Sequence, residues 1–115
     1  MQYDQGPAVL DTYTSDEQII GKWINGKPLY RRVIETTANN QDKVVSLTWF
    51  NISTHNVVRF SVCANSNFVM MFPDINSSGT MQGIAYIEGN GDLHIKTSRG
   101  SVKTTVIIEY WKNAD

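Results

Sequence analysis

At 115 residues the chain has the length of one domain, enough to bury a core that needs neither metal nor disulfide to hold it. Its 41% hydrophobic and 18% charged residues, with three Trp, five Tyr and four Phe, exclude a disordered chain. A formal net charge of −1, with Lys and Arg scattered, excludes the basic footprint by which nucleic-acid binders neutralise phosphates.

The longest apolar runs, such as Phe68–Phe72, fall far short of the ~20 residues that span a bilayer, so no membrane insertion is expected. Met1-Gln2-Tyr3-Asp4 has neither the basic start nor the apolar stretch of a secretory leader. The single Cys63 rules out an internal disulfide and a cysteine-rich zinc site. In Val62-Cys63-Ala64 it reads as a small buried hydrophobe, with a reactive thiol as the alternative.

Residues 1–13 contain Gly6-Pro7 and little periodicity, and read as an arm or linker preceding a domain at 14–115. Thr14-Ser15-Asp16-Glu17-Gln18 has the composition of a helix N-terminus: Thr14 or Ser15 would cap it and Glu17 or Gln18 would reach back. Gly21 would end that short helical turn, with Ile19 and Ile20 anchoring it on the core. Asn25-Gly26 predicts a turn, and Pro28, lacking an N–H, argues against a regular ladder directly after it.

From there the punctuation is that of a β domain. Strands are expected over Leu29–Thr36, Lys43–Ile52, Asn56–Ala64, Phe68–Phe72, Met81–Glu88, Leu93–Thr97 and Val102–Trp111. Asn90-Gly91 predicts a hairpin with a type I′ turn; 76–79 and 98–101 mark further reversals. In the last strand Val102, Thr104, Val106, Ile108 and Tyr110 form the expected core face, leaving Ile107 and Trp111 opposite, where a neighbouring subunit could cover them. Seven or eight short strands without long helical periods predict an all-β fold, a single jelly-roll-like or similar β-sandwich.

Thr14 to Trp23 (TSDEQIIGKW), followed by Gly26-Lys27-Pro28-Leu29-Tyr30, resembles the opening of small β domains in phage and prophage tail-fibre, baseplate and receptor-binding proteins. Val106 to Lys112 (VIIEYWK) resembles their final strand, with Trp111-Lys112 where Thr-Lys is expected, and Leu93-His94-Ile95 after Gly89-Asn90-Gly91 sits where such modules carry their last hairpin. The resemblance covers about residues 12–34 and 84–112 and leaves 37–80 unaccounted for. It implies a structural or receptor-binding viral protein in the virion tail, made in the bacterial host cytoplasm. It also implies assembly as a homo-oligomer, a trimer for preference, alongside other tail proteins.

Little in the chain suggests catalysis. His55 lies in a polar turn and His94 mid-strand, without Cys or carboxylate at ligand spacing beside either. Asp74, Glu88, Asp92 and Glu109 could in principle supply a glycosidase pair. The expectation is nonetheless a protein that is not an enzyme and carries no cofactor and no metal.

The residues that could bind something are those of a saccharide platform: Trp49 at a strand end, His55 in the next turn, and Asn65, Asn67 and Asn76 in loops, if those loops share one rim. The competing reading makes Trp49 a core residue and the Asn side chains turn formers, while Trp23 and Tyr30 read as structural anchors. The expected function is a tail module that can present loops to a host-surface glycan. The alternative is a carbohydrate-binding module of a secreted bacterial enzyme.

Overall fold

The structure, a computed structural model, describes residues 12–65 and 69–113. Among them the chain forms strands β1 (Gln18–Lys22), β2 (Pro28–Ala38), β3 (Lys43–Ser46), β4 (Val57–Asn65), β5 (Val69–Met71), β6 (Asp74–Ile75), β7 (Met81–Ile87), β8 (Asp92–Thr97) and β9 (Val102–Tyr110). Two 3-10 turns, Leu47–Phe50 and Thr54–Asn56, lie between β3 and β4. The strands pair antiparallel in two sheets, ordered β1-β2-β9-β4-β5 and β3-β8-β7-β6, and form the expected all-β sandwich.

The core follows from the period of two. In β9 every second residue from Val102 to Tyr110 is buried. Val106 is paired with Ile34 of β2 and Val62 of β4, and Ile108 with Arg32 and Phe60. The second sheet contributes Leu93 and Ile95, both fully buried. Each such side chain removed from water contributes about 1.5–3 kcal/mol. Cys63 is not among them: Val62 and Ala64 take the inward positions, which turns the half-buried thiol to the outer face beside Thr105 and Met71.

The helical turn expected near the N-terminus does not form. Gln18–Lys22 is instead an edge strand against β2, with a bulge between Ile19 and Gly21, and Ile19 is 67% exposed. The capping chemistry persists without a helix, because the Thr14 hydroxyl accepts from the Asp16 N–H at 3.0 Å. A segment this short cannot offset helix nucleation, whereas β2 offers it a ladder at once. Pro28 also pairs within the β1–β2 ladder, contrary to expectation. It is the first residue of its strand, and β2 meets β9 only from Tyr30, so the missing N–H breaks no central ladder.

Three hairpins close by one device. Trp23 and Lys27, Asn76 and Thr80, and Glu88 and Asp92 each flank a three-residue loop, with bonds from the N–H of the first to the carbonyl of the last at 2.8–2.9 Å. Each loop ends in a glycine with φ between +83° and +94°, the geometry of a type I turn followed by a bulge. The type I′ turn expected at Asn90-Gly91 is therefore absent, since Asn90 does not take positive φ; its amide oxygen accepts from the Asp92 N–H at 3.0 Å.

The two segments that carry the resemblance meet in space. The Glu17 carboxylate accepts from the Tyr110 hydroxyl and, at 2.6 Å, from Lys112 Nζ. Lys112 lies 4.4 Å from the ring centroid of Tyr30, which stacks on Tyr110 at 5.8 Å. Burial disfavours the charged form of Glu17, but its bonds to Lys112 and Tyr110 prevail and hold its pKa below the ordinary value. Burial first, then Glu17, pushes the Tyr110 phenol well above its usual range.

Of the expected arm, residues 1–11 lie outside the described residues. Tyr13 packs against the sheet, its ring centroid 3.7 Å from the Arg31 guanidinium carbon.

Candidate functional site

Strand register sorts the connections to two ends of the sandwich. The Tyr110 end carries the 3-10 turns, the 88–92 hairpin loop and residues 111–113; the Val102 end carries the connections after Ala38, Asn65, Ile75 and Thr97. Trp49 and His55 are at the first end, whereas Asn65 and Asn76 are at the second. At ~3.3 Å per residue along β9 the two groups stand roughly 25–30 Å apart. The single rim that would have gathered all the candidate residues therefore does not exist. Asn67 lies outside the described residues.

Asn76 behaves as a turn former, its amide oxygen accepting from the N–H groups of Ser78 and Thr80 at 3.0 and 2.9 Å. Asn65 is exposed at the last position of β4.

Trp49 is the decisive placement. A strand running to Ile52 would have set Val45, Leu47 and Trp49 on one inward face. The ladder instead stops at Ser46, opposite Asp92, because β8 begins there, and the Leu47 N–H turns to the Gly91 carbonyl at 2.8 Å. Over the next four residues the period is three. Leu47 is fully buried and Phe50 packs against the core, while Trp49 faces out at 85% exposure. Asn51, at φ +61°, then reverses the chain so that Ile52 re-enters the core.

Thr48 and Asn51, on the same turn as Trp49, help line a shallow depression of about 370 Å³; Trp49 itself is not among the lining residues. The 3-10 segment (Thr48, Asn51, Ser53, Thr54, His55) forms one wall and Gly89-Asn90-Gly91 the other. The walls are stapled together by the Leu47–Gly91 bond and by the Thr54 hydroxyl donating to the Glu88 carbonyl at 3.4 Å. The fit is close: a Cβ on Gly91 would stand 2.7 Å from Thr48 Cγ2. The Asn90 amide is held by Asp92, but the side chains of Asn51, Ser53 and His55 make no hydrogen bond to other described residues. The turn thus carries an exposed indole, and the depression that adjoins the turn holds uncommitted donors and acceptors.

A second polar cluster, absent from the sequence reading, centres on His94. Its side chain is only 12% exposed and, although no carboxylate stands at ligand spacing in the sequence, two reach it in the fold. Nδ1 lies 2.8 Å from an Asp42 oxygen, Nε2 contacts Glu88, and the ring stacks on Tyr86 at 4.9 Å. The bond to Asp42 raises the His94 pKa, aided by the charge of Asp42 and by Glu88, against the cost of desolvation. Hairpin register held the signal for Glu88: Tyr86 pairs with His94, so Glu88 is a diagonal neighbour on the same face. Asp42, 52 residues away, left none.

The other carboxylates considered for a glycosidase pair are committed. Asp74 binds Arg99 at 2.6 Å, Glu109 binds Arg59 at 3.0 Å, and Asp92 takes part in the 88–92 turn. Among the described residues no group of three or more His, Cys, Asp or Glu could hold a metal ion. No helix among them is long and apolar enough to cross a membrane. No family model matches the chain, and neither a curated protein nor a solved structure matches it.

Proposed function

We propose that this domain is a non-enzymatic module of a phage tail fibre, baseplate or receptor-binding protein, and that its Tyr110 end presents Trp49 to a saccharide on the host surface. The observation that carries the recognition reading is the exposure of Trp49 on a turn whose neighbours Leu47 and Ile52 are buried. An indole held outward on a rigid base stacks against the C–H face of a sugar ring at little entropic cost. Asn51, Ser53 and His55 are at hand for its hydroxyls. Commitment of Asp74, Glu88, Asp92 and Glu109 to Arg, His or turn partners supports the non-enzymatic part.

Placement in a tail rests on the resemblance of the opening and closing segments. Assembly with further copies, a trimer for preference, is supported by apolar side chains on uncovered edge strands: Val69 is 72% and Met71 55% exposed on β5, and Ile75 is 54% exposed on β6.

A glycan array probed with the whole tail protein tests recognition, with Trp49→Ala as the partner sample. Binding that falls about tenfold or more in the variant is expected, since such anchors dominate interfaces. Absence of any glycan hit, or binding untouched by the substitution, removes the recognition reading. Light scattering that finds only monomer at high concentration removes the trimer.

A further inference from the structure

We infer that the Trp49 rim accepts an uncharged glycan, a chain of neutral hexoses or N-acetylhexosamines, and discriminates against chains bearing uronate or sialate. The inference rests on the reading of the rim as a saccharide site and adds the chemical class of the ligand. It comes from the charges around the depression. The lining contains no Lys or Arg. Outside the lining, Lys27 Nζ donates to the Asn113 carbonyl at 2.9 Å, Lys112 is paired with Glu17, and the Arg32 guanidinium, 5.2 Å from the Phe50 ring centroid, donates to the Ser15 carbonyl at 3.0 Å.

The wall built from Gly89-Asn90-Gly91 is flanked in sequence by Glu88 and Asp92. A sugar carboxylate docking there would lose water, gain no cation from the lining and approach two carboxylates, one shared with His94 and the other with Asn90. The groups that are uncommitted suit hydroxyls and acetamides instead. The Asn51 amide supplies both donors and an acceptor, the Ser53 hydroxyl either role, and the His55 imidazole one of each when neutral. Specificity then comes from stacking plus neutral hydrogen bonds, the arrangement in which added salt changes little.

The test is titration calorimetry of the full chain with chitohexaose, cellohexaose and mannohexaose, against hyaluronan hexasaccharide and a sialylated oligosaccharide, at low salt and at 0.5 M salt. Expected is binding to at least one neutral probe, unchanged within about twofold by salt. The anionic probes should bind about tenfold or more weakly. Trp49→Ala should abolish binding and Trp49→Phe restore part of it, both variants keeping the parent melting temperature. A preference for an anionic probe that weakens steeply with salt overturns the assignment of ligand class while leaving Trp49 a saccharide anchor. Failure of every probe to bind overturns both.

Discussion

The contact between Gly91 and Thr48 allows a local energetic argument to be tested without knowing any ligand. Gly91→Ala places a Cβ where φ is +94° and where Thr48 Cγ2 stands 2.7 Å away. The backbone conformation costs an L-residue about 1–2 kcal/mol. The overlap costs about 1–3 kcal/mol more, because the Leu47–Gly91 bond and the Thr54–Glu88 bond limit how far the walls can part. A 115-residue domain has an unfolding entropy of about 0.24 kcal/mol/K, so the combined penalty lowers Tm by about 8–20 °C.

Gly79 provides the comparison. It ends the same kind of loop at φ +83°, but nothing lies within 4 Å of its virtual Cβ. Gly79→Ala should therefore show the backbone part alone, about 4–8 °C. Thr48→Ser removes the offending methyl and keeps the hydroxyl that bonds Ser46 at 3.0 Å. Combined with Gly91→Ala it should recover about 1–3 kcal/mol, a coupling readable from a denaturant double-mutant cycle. If Gly91→Ala is no worse than Gly79→Ala, or if Thr48→Ser rescues nothing, the close approach is not a constraint and the argument is wrong.

Three further outcomes are expected. Glu17→Gln should cost about 1–3 kcal/mol by weakening its bonds to Tyr110 and Lys112, read by urea denaturation. Because the folded Glu17 pKa lies below the ordinary 4.5, its contribution is present above that value and fades as pH falls through the folded pKa. The variant should thus lose part of the acid-side drop in Tm; an unchanged acid limb would argue against the pair. His94 has the opposite sign: its folded pKa is raised above 6.5, so its contribution is full below 6.5 and disappears as pH rises through the folded value. A Tm profile showing that alkaline step in the parent and not in His94→Gln would bear this out, and identical profiles would contradict it. Ile108→Ala, at a fully buried position between Arg32 and Phe60, should cost about 2–5 kcal/mol by calorimetry, and less than 1 would mean that β9 is not the core strand described.

The legible parts of the chain were those in which neighbours in sequence suffice. The face of β9 could be read because alternation is a property of a single strand, and a buried strand must obey it. The three-residue loops announced themselves by glycine, although not their type: Asn90-Gly91 fits two turn geometries, and the spacing of the flanking strands selects between them. Thr14 to Ile20 misled because capping residues are also turn residues, and the choice of strand depends on β2 lying alongside.

Alternation and turn chemistry in the amino-acid order thus dictate a two-sheet β domain and the inward set of β9, since those preferences act over a few bonds. Partners distant along the chain decided the rest. The strand carrying Trp49 ends at Ser46 only because β8 starts opposite it, and that distant event converts a would-be core indole into an exposed one. Likewise Asp42 reaches His94 only once β3 has paired with β8, and Glu17 reaches Lys112 only once β1 and β9 flank β2, because contacts across so many intervening residues have no local signature.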